Sequence, residues 1–182
     1  MEFIRYGTGP WREYAQKIGK WDGLFVCPGT TPVDYFLKMD LRGQAFLLAH
    51  VNYITDEEMA RFSQTGHSVV YCPRSHGYFG HPDHSFVKML ESGIHVCLGT
   101  DSLASNTSLS MLAEMRYLYR RYPAIPAEMV IRMATRNGAA ALGWDDTIGS
   151  LAPGKEADLI VIRLAKPDGE PCRDILESEN EP

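Results

Sequence analysis

Gly93-Ile94-His95-Val96-Cys97-Leu98-Gly99-Thr100-Asp101-Ser102 is an apolar run that stops at a carboxylate followed by a small polar residue. A continuous apolar run of this length, bounded by glycines, predicts a buried parallel strand that carries Asp101 to its C-terminal end. In open α/β sheets and α/β barrels, ligands bind at the rim formed by the carboxyl ends of the strands, so an acid delivered there is a candidate for chemistry. A plainer reading, in which Asp101 only caps the following helix, stays open on this stretch alone.

A second run of the same design, Ala45-Phe46-Leu47-Leu48-Ala49-His50, also ends in a polar side chain competent to bind a metal or a proton. Between the two lies a third predicted strand, Ser68-Val69-Val70-Tyr71-Cys72, followed by a predicted loop, Pro73 to Pro82, rich in side chains able to hold a polar substrate. Helical patterns between the strands complete βα repeats. Thr55 with Glu58 three residues on is a capping-box signature, with Met59 and Phe62 on the apolar side of that helix and Gly66 beyond it. Further helices are expected over 12–18, 33–39, 85–91, 109–122, 126–135 and 137–142. The stripe of Met111, Leu112, Met115, Leu118 and Tyr119 reads as core. Ala157 to Ile162 predicts a β-branched strand, and the charged tail from Lys166 predicts disorder.

Composition narrows the function classes. The chain has 182 residues with a formal net charge of -5, so it lacks the basic footprint of a nucleic-acid binder. No apolar run approaches the roughly 20 residues of a membrane span, and the N-terminal residues do not read as a signal peptide. The four cysteines, Cys27, Cys72, Cys97 and Cys172, show no C-x-x-C spacing, and Cys72 and Cys97 fall in predicted strands. Buried reduced thiols and a cytoplasmic location are the expectation.

The succession Leu48-Ala49-His50, Tyr71-Cys72-Pro73-Arg74-Ser75, Leu98-Gly99-Thr100-Asp101-Ser102 with Ala104-Ser105, Ala134-Thr135-Arg136-Asn137-Gly138-Ala139, and Gly149-Ser150-Leu151-Ala152-Pro153-Gly154-Lys155-Glu156-Ala157-Asp158-Leu159 resembles the amidohydrolase superfamily. The likeness is to its branch of nucleobase and adenosylhomocysteine deaminases and triazine chlorohydrolases. The resemblance implies a partial (β/α)8 TIM barrel, with the three strands as its sixth, seventh and eighth, over residues 1–147. Residues 148–165 would supply a strand of a small β-sandwich, and 166–182 a disordered tail. It also implies a divalent metal, zinc or iron, and a small heterocyclic substrate. Asp101 would be the last-strand aspartate, a weak metal ligand that takes a proton from the attacking water. His50 would be the sixth-strand histidine that hydrogen-bonds the hydroxide or the leaving group. Arg74, His76 and Ser102 are the candidate substrate contacts, although the family's common pattern has asparagine where this chain has His76.

The remaining histidines are read more plainly. His95 is a core or helix-facing residue and His67 a surface residue of a turn. His76, His81 and His84 suggest a metal cluster by type, but the resemblance implies substrate contacts in their loop. The family's His-x-His pair, its fifth-strand histidine and the glutamate three residues after that histidine do not occur in this sequence. Gly7-Thr8-Gly9-Pro10-Trp11 resembles the stretch that follows the fifth-strand motif, so Met1 is expected to fall just downstream of it. A full barrel takes roughly 250 residues. Exposed barrel edges are accordingly expected to favour self-association.

Two readings of function result. One is the C-terminal portion of a metal-dependent hydrolase that cleaves a non-peptide C–N bond, most simply by ring deamination, and is inactive as an isolated chain. The other is a non-catalytic truncated product active only in binding or assembly. A third, closed α/β domain that binds an anion through Arg74 and helix N-termini, is the weakest.

Overall fold

The computed structural model describes residues 2–164 and 169–178. Its frame is a parallel sheet in the order β1 (Leu47–Ala49), β2 (Ser68–Tyr71), β3 (His95–Leu98). The register sets Leu48 opposite Val69 and Val69 opposite Val96. All three expected strands form, each trimmed at its ends. The first stops at Ala49 because the backbone at His50 and Val51 turns into the left-handed region, with φ of 65° and 52°.

The helices are α1 (Glu2–Tyr6), α2 (Pro10–Lys17), α3 (Pro32–Leu37), α4 (Asp56–Phe62), α5 (Pro73–Tyr78), α6 (Phe86–Glu91), α7 (Met111–Arg121), α8 (Ala127–Ala134), α9 (Arg136–Ala141) and α10 (Pro171–Glu177), of which α6, α7, α8 and α9 pack on β3. The predicted capping box is present. The Thr55 hydroxyl accepts from the Glu58 N–H at 3.2 Å, and the Glu58 carboxylate accepts from the Thr55 N–H at 2.8 Å. Helix α7 begins one residue after Ser110, whose hydroxyl accepts from the Ala113 N–H. Ser110, not Asp101, is therefore the residue that caps it.

The core lies where the central strand meets the helices that cover it. Val69 and Val96 pack with Phe62, Phe86, Met89, Leu118, Val130 and Met133, all fully buried. Phe86 stacks on Tyr71 with ring centres 5.0 Å apart. Cys72 and Cys97 are buried free thiols, and burial pushes them up to about 12 and about 11. They are inert core residues.

Four expectations need correction. The loop predicted after β2 starts as helix α5, because Pro73 supplies the fixed φ and missing N–H that suit a first helical position. The predicted strand over Ala157–Ile162 does not form. The three-stranded sheet offers it no neighbour, and Val161 is left 80% exposed. The tail expected to be disordered carries α10, whose Leu176 is fully buried against α7 and α8. Arg116 fastens that helix by donating to the Ile175 carbonyl at 3.2 Å and the Ser178 hydroxyl at 3.0 Å. Residues 166–168 and 179–182 of that tail lie outside the described residues. Finally, His67 is buried, packed edge-on against Phe36 and Phe62, with its Nδ1 accepting the Phe46 N–H at 3.2 Å.

Leu176→Ala should lower stability by about 2–5 kcal/mol through cavity formation, as read from urea unfolding, while Leu151→Ala at an exposed position should stay within about 0.5 kcal/mol. A Leu176 variant as stable as the parent would show that α10 does not belong to the core.

Candidate functional site

His50 and Asp101 leave the carboxyl ends of β1 and β3 and meet across the end of β2, with Nε2 of His50 3.8 Å from Oδ2 of Asp101. Both side chains reach solvent, with relative exposures of 38% and 28%. Their backbones are unusual. Among the described residues only Arg42, His50, Val51 and Asp101 are non-glycine residues with positive φ, so three of the four lie at these strand ends. A conformation of this kind costs roughly 1–3 kcal/mol per residue and persists only where surrounding contacts impose it.

Those contacts are visible. The Asp101 carboxylate accepts the Ser75 hydroxyl at 2.6 Å and the Ser105 hydroxyl at 3.1 Å on Oδ2, and the Ser102 N–H at 2.8 Å on Oδ1. The Ser75 hydrogen bond, ahead of those from Ser102 and Ser105, holds the carboxyl below its ordinary range against the opposing effect of burial. Asp101 is accordingly ionised at neutral pH. Gly99 makes the approach possible: a Cβ there would lie 2.6 Å from Cγ2 of Val70 and 3.2 Å from Sγ of Cys72. Only a residue without a side chain lets β3 run this close to the end of β2.

Behind the serines stands Glu114 of α7, fully buried. It accepts the Arg74 N–H at 3.0 Å and the Asn106 amide at 2.6 Å, with the Arg74 guanidinium 3.8 Å away. Burial pushes its carboxyl above the usual range against these donors. Arg74 and Asn106 are the chain neighbours of Ser75 and Ser105. One buried carboxylate thus anchors both segments that hold Asp101.

The expected substrate contacts divide. Ser102 is exposed beside Asp101 and donates its N–H to it. Arg74 is turned away from an anion role: its guanidinium donates to Ser108 at 3.0 Å and to Thr107, and faces Glu114. His76 is buried, with Nδ1 3.2 Å from Oδ1 of Asn52 and Nε2 donating to the Pro82 carbonyl at 2.8 Å, so both nitrogens are occupied. Burial lowers its pKa. His84 is also buried and reaches the His50 carbonyl through Nε2 at 2.5 Å. Ser75 and Ser105 lie in the segments 74–84 and 102–106 that the sequence marks as pocket lining, but their hold on Asp101 is not legible there. Glu114 reads in the sequence only as part of a helix, because nothing in its spacing reveals a buried carboxylate that faces the start of α5 and the turn after β3.

A hydrolytic zinc takes three protein ligands and keeps an open position. The rim offers one imidazole nitrogen and one carboxylate whose Oδ2 already accepts two hydroxyls, and no group of three or more His, Cys, Asp or Glu suited to a metal occurs among the described residues. These residues do not by themselves hold such an ion.

Residues 25–180 match the amidohydrolase family. A 5-methylthioadenosine/S-adenosylhomocysteine deaminase of Moorella thermoacetica is 33% identical over 176 residues, which cover 93% of this chain and 41% of the relative. The chain therefore spans about two fifths of the length of that relative. Among solved structures, an amidohydrolase from a Sargasso Sea environmental sample superposes with a TM-score of 0.68 and 30% identity over 84% of this chain and 37% of its own. An adenosine deaminase from Xanthomonas campestris with bound zinc shares the fold, with a TM-score of 0.68 and 23% identity over 97% of this chain and 38% of its own.

Ser75→Ala should raise the titration midpoint of the Asp101 carboxyl more than Ser105→Ala does, followed by carbon-13 NMR of labelled aspartate. Equal midpoints in the parent and both variants would remove the hydroxyl clamp. His84 gives a second expectation. Burial pushes it down to about 4, so the unfolded chain binds the proton first as pH falls. Its stabilisation is complete above about 6.5, the ordinary histidine value, and declines as pH drops toward about 4. Urea midpoints should fall over that window and flatten in His84→Phe.

Proposed function

The chain belongs to the amidohydrolase family, and from that premise we propose that it is the C-terminal part of a metal-dependent enzyme that deaminates a heterocyclic ring by hydrolysis. The observation that carries this reading is the meeting of His50 with the serine-clamped, ionised Asp101 at the strand ends. In this reading the three strands are the closing strands of a barrel, and water adds to the ring carbon that bears the amino group. Asp101 accepts one proton of the water and returns it to the departing nitrogen, while the proton of the added hydroxyl ends on the adjacent ring nitrogen, so that ammonia leaves and a ring carbonyl remains. His50, beside Asp101, orients the water by hydrogen bonding. Ser102 lies where it can contact the ring; Arg74 and His76 act by shaping the wall around it.

A carboxylate held below its ordinary range is a weak base toward ordinary water, whose pKa is about 15.7. Activation of that water needs groups beyond those among the described residues, and this supports assigning the chain a part of a site. The relatives' names suggest adenosine-type substrates, in keeping with a purine ring that carries an exocyclic amine. A second reading, a non-catalytic partner in assembly, draws on exposed apolar side chains such as Leu47, Leu159, Ile160 and Val161. They would drive self-association in water.

The test begins with the DNA upstream of the Met1 codon. The frame joined to Met1 should encode a His-x-His pair and, close to Met1, a histidine followed three residues later by glutamate. The polypeptide translated from that frame, loaded with zinc, should release ammonia from S-adenosylhomocysteine or adenosine, and Asp101→Asn should reduce the rate by about 10²–10⁴-fold. The 182-residue chain alone should release none. Absence of those motifs upstream would leave the assembly reading.

A further inference from the structure

We infer that His84 is a positioning residue that holds His50 in its left-handed backbone turn through an Nε2–H hydrogen bond to the His50 carbonyl. The inference rests on the proposed role of His50, which it deepens. His84 lies 34 residues downstream in the chain, between α5 and α6, yet its Nε2 is 2.5 Å from that carbonyl oxygen. A carbonyl only accepts, so Nε2 carries the hydrogen and Nδ1 carries a bare lone pair. That Nδ1 is buried and has no hydrogen-bond partner among the described residues. Burial also holds the ring neutral at ordinary pH.

This arrangement breaks the rule that buried polar atoms are paired. The imidazole stacks on Tyr71 at 4.2 Å and 19°, lies 6.2 Å from Phe86 and meets His76 edge-on at 5.4 Å. A phenyl ring would make the same stacks and leave no orphaned atom. What a phenyl ring lacks is the donor. That donor completes the hold on the residue that leaves β1: the His50 N–H donates to the Val70 carbonyl at 2.9 Å, and its C=O is taken by His84. With both ends of the residue fixed, φ at His50 is kept at 65° and the imidazole is directed at Asp101. Violations of local rules of this sort collect at functional sites.

Two substitutions in the full 182-residue chain separate positioning from packing. His84→Phe keeps the stack and removes the donor; His84→Gln supplies an amide donor in place of Nε2–H. We expect the His50 amide to exchange with solvent about tenfold faster in His84→Phe, the size of one net hydrogen bond. The midpoint of thermal unfolding should hold or rise, and NMR cross-peaks between the His50 ring and Asp101 should weaken. His84→Gln should bring exchange back to within about twofold of the parent. Unchanged His50 exchange in His84→Phe would overturn the inference. So would faster exchange spread over the whole sheet with a lower unfolding midpoint and no recovery in His84→Gln, which marks a packing role. None of these readouts uses turnover, so the inference and the deaminase reading fail separately.

Discussion

A carboxylate without solvent must find donors, and Glu114 finds them in two segments far apart from each other in sequence. Its acceptance of the Arg74 N–H and the Asn106 amide draws the start of α5 and the segment after β3 to the same point on α7. Each segment carries one of the two serines that grip Asp101. The site is therefore downstream of a core constraint. Leaving a buried carboxylate with a donor removed is far more damaging than a lost surface pair, and this ties the first turn of α5 and the irregular segment after β3 to the same point.

On the opposite strand end the logic is the same with different chemistry. His50 sits in a turn closed by the Val70 carbonyl on one side and the His84 imidazole on the other. Both catalytic candidates are thus carried by strained residues fixed from neighbouring elements, at the tips of a sheet whose middle strand is largely covered. Rigidity comes from the covered side and reactivity from the open one.

Much of this was legible in the sequence, and the limits have physical causes. The apolar runs marked all three strands; β2 and β3 are largely buried and leave the near-continuous signal of covered parallel strands, whereas β1 carries the same composition on a partly exposed edge. The capping box at Thr55 and Glu58 was legible because it is a local contact between residues three apart. The strand expected at Ala157–Ile162 is not formed among the described residues: β-branched composition predicts a surface suited to pairing, and the β-sandwich neighbour the resemblance implies for it is not in the three-stranded sheet. The helix at Pro171–Glu177 was missed because charge and proline dominate its composition, while its anchorage is a single buried Leu176 and an arginine 59 residues away from the carbonyl it binds. His50 and Asp101 stood out by position at the ends of runs, whereas Ser75, His84 and Glu114 act through contacts of 26 residues or more, and Ser105 through a bond to Asp101 four residues away inside an irregular turn, none of which a periodic pattern reports.

The left-handed residues at 50, 51 and 101 also shape what evolution or a laboratory screen would do with this chain. Glycine adopts such angles without the steric penalty that histidine, valine and aspartate bear there. A search for heat resistance alone would find relief at those positions early. The residues it discarded would be the ones that bring the imidazole and the carboxylate together, so selection for endurance and selection for chemistry pull on the same three backbone positions in opposite directions.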